Sequence, residues 1–419
     1  MTGEPWLRKG SWRVMKWCCL SLGLLCGAAA LAADKPEPDY AKVPRLPDVT
    51  PPGNATVQKS IDRGVYFLLG NQNQDGSWGS PRNTKGLNIY APTYHSHYAF
   101  RLAVTALSTS ALIEAGGDTP QVRAALKDSE AYLLEHLPKL RRATADAMYN
   151  VWAHGYGLQA LVRLRTRAQA ANEVAKVKRI EAVIDTQFDR LDRYESVDGG
   201  WGYYDFRLGT KKPASSSISF VNGTVLVAFH EAQQAGLKPP PHLIKRAIAA
   251  LKRQHLPDGS FLYGEYLKTA PRRGINRPAG SLGRTQVGNL SLRLWKDPRI
   301  TDQVIVDWLD RLFARNDWLG IGRKRPVPHE AWFQIAGYFY YYGHYYAGLL
   351  MDHVPAKDRP RLQDHLATTL MKLQEKDGDW WDFPLYDYHR QYGTAMAVMA
   401  LQKCLRTPKG PGVVPVPEK

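Results

Sequence analysis

Cysteine is almost missing from this chain. There are four in 419 residues, and Cys18, Cys19 and Cys26 lie in the first 30. Carboxylates are the second shortage, with 39 Asp and Glu against 56 Lys and Arg and a formal charge of +17. A surplus of that sign attracts anionic partners. What is not scarce is apolar and aromatic material: 44% of residues are hydrophobic, with 12 Trp and 22 Tyr, enough for a large core and too much for a disordered chain. Length alone suggests two or three domains.

The cysteines take their meaning from where they sit. Residues 17–33 carry no charge, follow Arg8, Lys9, Arg13 and Lys16, and end in Ala30-Leu31-Ala32. A basic start, an apolar run and a small-residue end describe an export signal cut after Ala32 or Ala33, giving a periplasmic or secreted protein. The alternative is an uncleaved membrane anchor, for which 17 residues is at the short limit. Without residues 1–33, Cys404 is the one remaining thiol, which excludes an intramolecular disulfide and a cysteine-rich metal site. The leader also removes four basic residues and Glu4, leaving +14. Residues 34–54 are a proline-rich linker and 407–419 a proline-rich tail, so the folded body is expected over 55–406.

Within that body a short stretch recurs: Gln72-Asn-Gln-Asp-Gly76-Ser-Trp78, Asp198-Gly-Gly-Trp201, Asp258-Gly-Ser-Phe261 and Gln374-Glu-Lys-Asp-Gly378-Asp-Trp380. Trp78 and Trp380 are 302 residues apart, or five intervals of 60.4. Trp201, Phe261 and Trp318 fall within two residues of three of the intervening positions, and only the second, at Leu137-Pro138, is blank. Six repeats therefore account for the length as one domain. An amphipathic segment precedes each turn (57–69, 120–136, 174–194, 242–255, 302–314, 360–373), and a more apolar, small-residue-rich one follows (103–116, 152–164, 221–234, 286–295, 332–351, 393–402). The spacing predicts an all-α fold, an (α/α)6 toroid of six helical hairpins with the polar helices outside.

The stretch Arg63-Gly64-Val-Tyr-Phe67-Leu68-Leu-Gly-Asn-Gln72-Asn-Gln-Asp-Gly76-Ser-Trp78 resembles the QW motif of squalene and other triterpene cyclases. The later copies are degenerate, with Glu195 in the glutamine position of the copy near Gly199. The resemblance extends to protein prenyltransferase β-subunits and implies their toroid. In both groups the motif is structural. Their chemistry is not carried over: no Asp-x-Asp-Asp precedes an inner helix, no Asp-Asp-x-x-Asp is present, no Asp-x-Cys supplies zinc, and Gly393 stands where the prenyltransferase histidine would be. No cofactor and no metal is expected.

Two features remain. The loops 79–98, 203–218, 262–284, 319–331 and 381–391 should share one end of the toroid, and they carry 14 basic residues against five acidic ones. Arg272, Arg273, Arg277, Arg284, Arg323, Arg325 and Arg390 are the candidates for a ligand-binding rim. The starts of the inner helices carry histidine and tyrosine, from which His95, His97, Tyr98, His154, Asp387 and His389 are the acid–base candidates. His154, in register with Thr105, Asn222 and Thr394, is expected to point inward. Three readings follow: a cyclase-like or prenyltransferase-like toroid that binds or transforms an isoprenoid-like, amphiphilic and anionic ligand in its cavity; a non-catalytic scaffold using the basic rim; and a lyase on an anionic polysaccharide with Arg284 or Arg390 as carboxylate partner. The membrane surface is a further candidate partner, and nucleic acid is not expected.

Overall fold

The computed structural model describes residues 42–85, 93–141, 149–203, 212–213 and 216–406. The segments expected to be the leader, most of the linker and the tail lie outside them. The unit that begins at Pro44 is helical, and no strand occurs among the described residues. Its helices are α1 (Asn54–Gly70), α2 (Tyr94–Ala115), α3 (Pro120–His136), α4 (Asn150–Ala170), α5 (Val174–Arg193), α6 (Ser219–Gln234), α7 (Pro241–Gln254), α8 (Pro278–Leu294), α9 (Asp302–Ala314), the single turn α10 (Asn316–Gly320), α11 (Phe339–Leu350), α12 (Arg359–Lys372) and α13 (His389–Gln402). Each of the twelve expected segments holds a helix.

Burial separates the two sets as their sequences require. α7 buries Leu243, Ala247, Ala250, Leu251 and Gln254, one stripe at helical spacing, and leaves its lysines outside. In α2 every residue from Ala99 to Leu112 except Arg101 is buried, the pattern of a helix surrounded by protein. Thr93, Thr119 and Thr301 cap α2, α3 and α9 by accepting backbone N–H bonds. The inner helices contact one another in the cycle α2–α4–α6–α8–α11–α13 and back to α2, so the ring is closed. Hairpin α1–α2 meets hairpin α12–α13 at the seam, where the Arg406 backbone N–H donates to Asn54 Oδ1 at 3.4 Å.

The Asp-Gly-x-Trp turns carry out that closure. Trp78, Trp201 and Trp380 donate their indole N–H to Leu68 O, Leu191 O and Leu370 O at 2.8–2.9 Å, satisfying a carbonyl at the end of the preceding outer helix. Gly76, Gly199, Gly259 and Gly378 sit at φ of +84°, +93°, +80° and +91°. A Cβ on any of them would come within 3 Å of the next outer helix, at Asp128 O, Arg246 O, Trp308 Nε1 and Arg63 O respectively. Gln72 donates to Ala125 O of α3 at 2.9 Å, and Gln374 donates to Ser60 O of α1 at 2.9 Å. The last turn therefore grips the first helix in the same way that the first turn grips the third.

The degenerate copies keep the tether by other means. Glu195, fully buried, replaces the glutamine and pairs with Arg246 of α7 at 2.8 Å and with Lys212 at 3.1 Å. The fifth position corrects the expectation from spacing. Trp318 is 37% exposed and stacks on Phe333 and Arg315, while Leu319 takes the buried site. Helix α11 also starts at Phe339 instead of 332, because Phe333 and Gln334 adopt φ of +58° and +57°. No helix among the described residues is long and apolar enough to cross a membrane.

Gln374→Ala removes the donor from Ser60 O and Gly378 O. It should lower the unfolding free energy by about 1–2 kcal/mol in urea titrations. Trp318→Ala, which removes the stack on Phe333, should lower it by about 0.5–1.5 kcal/mol.

Candidate functional site

The N-terminal and middle parts of five inner helices enclose a cavity of about 370 Å³, at the small end of small-molecule sites. Helix α2 contributes Phe100, Val104 and Leu107, α4 Trp152 and Tyr156, α6 Phe220, α11 Phe339 and Tyr342, and α13 Tyr392 and Met396. Lining that begins within the first seven residues of each helix means that all five enter the ring from one end. Loop residues at that end, including Tyr203, Tyr263, Ile275 and Tyr338, complete the wall. Among the described residues, eight tyrosines and no carboxylate line it.

The floor is closed. Tyr342 OH donates to Phe220 O at 2.8 Å and lies 2.9 Å from Thr224 Oγ1, which is 2.7 Å from Tyr346 OH one turn further on. Beyond these phenols Arg163 of α4 pairs with Glu114 of α2 at 2.8 Å and with Glu231 of α6 at 2.7 Å. Three inner helices are thus joined by charge below the cavity.

The opposite, loop end is cationic. Arg273 lines the cavity with an exposed side chain. Arg284 lies one layer behind Tyr263 and Ile275, 1% exposed, its guanidinium 5.8 Å from the Tyr263 ring. It donates to the carbonyls of Phe261, Gly280 and Ile275 and pairs with no carboxylate among the described residues. Burial pulls its pKa down to about 9, which still leaves a positive charge at neutral pH. His329 and Gln334 join Arg273 as the remaining polar lining. His329 Nδ1 is 2.7 Å from Gln334 O and Nε2 is 2.9 Å from Tyr338 OH.

The six sequence candidates for acid–base chemistry lie elsewhere. His97 contacts Tyr388 OH at 3.2 Å and packs edge-on to Tyr386; Asp387 accepts from Ser80 Oγ at 3.0 Å, and His389 Nδ1 bonds Tyr386 O. These three gather at the α2–α13 seam. His95 meets Arg141 at 2.6 Å, and Tyr98 OH meets His136 at 3.0 Å. His154 does not point inward: its Nδ1 meets Gln187 Oε1 of α5 at 2.8 Å. The shared register explains why, because Thr105 and Thr394 accept the backbone N–H of Trp78 and Trp380 and Asn222 donates to Ala247 O. That face of these four inner helices serves the turns and the outer layer.

The basic rim divides as well. Arg284 is an interior residue, and Arg390 is held by Asp379 and Asp377 at 2.7 Å each, above the Phe67 ring. Arg323 lies over Tyr340 and Arg325 is 3.8 Å from Glu330. Arg272, Arg273 and Arg277 remain exposed on one loop. Rim residues 86–92, 204–211 and 214–215, among them Arg207 and Lys211, lie outside the described residues.

Sequence reasoning missed His329, Tyr338 and Asp382. Asp382 is fully buried, accepts from Tyr341 N at 2.9 Å and from Tyr392 OH, and burial raises its pKa to about 6. Tyr392 stands between it and the cavity. The asparagines of two Asn-x-Ser/Thr sequons, Asn222 and Asn289, are fully buried, which leaves Asn54 exposed.

No family model matches the chain, and no curated protein matches its sequence. Solved structures do match. An unsaturated glucuronyl hydrolase from Streptococcus agalactiae superposes with a TM-score of 0.52 at 12% identity, over 87% of this chain and 97% of that one. An alpha-1,6-mannanase of Salegentibacter gives 0.50 at 12% identity, over 84% and 99%. A type II terpene cyclase from Scytonema gives 0.44 at 15% identity, over 83% and 98%. At such identities the likeness establishes the α/α toroid and nothing of the chemistry.

Burial holds His154, His344 and His389 at pKa values of about 4. Unfolded, each would bind a proton near its ordinary value of about 6.5, so their stabilisation is complete above that pH and is lost as pH falls towards 4. Asp382, raised to about 6, works in the opposite sense below that pH. Melting temperature should fall from pH 7 to pH 4.5, and His154→Gln should flatten the slope.

Proposed function

We propose that the cavity binds an amphiphile, with an isoprenoid-like apolar body against the aromatic walls and an anionic head at the loop end. One observation carries this reading: a blind, aromatic chamber lined by Arg273, with the buried guanidinium of Arg284 one layer behind its wall and paired with no carboxylate among the described residues. Burying an unpaired cation is unfavourable, and an anion brought beside it offsets that cost. The N-termini of the inner helices open on the same end and add partial positive charge.

The same geometry argues against two neighbouring readings. Acid-initiated cyclisation needs a carboxyl facing the alkene, and the lining holds none among the described residues. A polysaccharide lyase acting within a chain needs a groove open at both ends, whereas Arg163 and its two glutamates fill the lower end. The leader of residues 1–33 supports export, so binding would occur in the periplasm or outside the cell.

The direct test is native mass spectrometry of the purified protein. An extracted amphiphile of one mass class is expected, and an empty cavity with no uptake from a lipid panel would refute the reading. In solution, dodecyl phosphate should quench the fluorescence of Trp152, and Arg273→Ala should weaken that ligand about tenfold while leaving dodecanol within twofold, as loss of one charge-assisted contact implies. Val104→Trp, which fills the chamber, should abolish both.

A further inference from the structure

We propose that Tyr338 and His329 form a proton-transfer pair that makes the cavity an isomerase site for isoprenoid-like carbonyl compounds. The inference rests on the cavity being the ligand site and names the chemistry performed there.

The hydrogen bonds set the pair's polarity. Gln334 O can only accept, so His329 Nδ1, 2.7 Å away, carries the ring proton. Nε2 is then the lone-pair nitrogen, and it accepts the phenolic hydrogen of Tyr338 at 2.9 Å. Hydroxyl, imidazole and an orienting acceptor in series are the arrangement by which a weak oxygen base is activated. Burial, reinforced by the guanidinium charges of Arg284 and Arg273, lowers the pKa of His329 and keeps the ring neutral. Both residues line the cavity.

Two independent features converge on the same place. The backbone that builds the pair is strained: Lys324, His329, Phe333 and Gln334 all have positive φ, between +57° and +66°, within eleven residues. Each costs on the order of 1 kcal/mol or more, a burden that clusters where geometry must be held for function. The stack of Trp318 on Phe333, with the Ile275 N–H bond to Gln334 Oε1 at 3.4 Å, holds the loop in place. The second feature is a row of hydroxyls. Tyr338 OH lies 3.5 Å from Tyr263 OH, which in turn bonds Tyr203 OH, so donors continue along the wall beneath the Arg284 charge.

These parts specify a balanced step. Tyr338 passes its hydroxyl proton to His329 Nε2, and its oxygen takes a proton from the carbon next to the ligand's carbonyl. The electron pair of the broken C–H bond moves into a new C=C bond, and the carbonyl oxygen becomes an enolate, facing the Tyr263 hydroxyl and the cationic end. Return of a proton from Tyr338 to the same carbon, or to the far end of a conjugated system, regenerates the carbonyl, and His329 returns its proton to Tyr338. Nothing is consumed. The guanidinium of Arg284, one layer behind Tyr263, favours that negative charge at longer range.

The test uses geranylacetone, an isoprenoid ketone, in D2O with the full chain. Deuterium uptake beside the carbonyl is read by mass spectrometry, and binding by Trp152 quenching. Wild-type protein should accelerate uptake over buffer. Tyr338→Phe and His329→Gln should each reduce the protein-dependent rate about 100-fold, the low end of general acid–base contributions, with binding and melting temperature unchanged. Binding without accelerated uptake, or undiminished uptake by Tyr338→Phe, overturns the proposal. Failure of geranylacetone and dodecyl phosphate alike to bind would instead overturn the cavity reading beneath it.

Discussion

The ring exists because, at four of its six junctions, the turn hooks the outer helix of the next repeat. A glycine with positive φ lets two backbones meet, and a glutamine amide completes the contact. The cavity lies where five inner helices fail to meet at the centre, so its size depends on that hoop. Loss of one hook would not merely loosen a surface turn; it would let the circumference grow. The conservative treatment of the worst copy fits this view. Where glutamine has become Glu195, a buried ion pair with Arg246 spans the same two elements.

Inside the hoop, polarity is graded from end to end. The floor is a charged lock of one arginine and two glutamates, the middle is aromatic, and the mouth carries Arg273 on its lining with Arg284 behind it, the latter paired with no carboxylate among the described residues. A molecule entering with an apolar body and a polar head has one favourable orientation. That orientation brings its head to His329 and Tyr338, not to the seam where His97 and His389 cluster.

The repeat was legible because tryptophan, glycine and glutamine do the same local work at a fixed interval. Trp318 was misjudged because spacing alone does not report burial, and its neighbour Leu319 fills the hole. Standing at a helix start does not fix where an acid–base candidate points, because a helix start has several faces. The face bearing His154 belongs to the turns, as Thr105 and Thr394 show. His329 sits in an irregular loop, where periodicity says nothing and a strained backbone sets the direction of the ring. The only trace in the sequence was a histidine between Arg323-Lys-Arg325 and an aromatic run, in a segment already counted for its charge.

The lock formed by Arg163, Glu114 and Glu231 has a kinetic meaning. With one end shut, whatever enters the chamber must back out through the loops that admitted it. Arrival and departure share a single doorway, so occupants cannot pass one another, and a tightly held molecule excludes its successor. The rate at which the chamber empties then bounds how often it can be used, however fast the events within it.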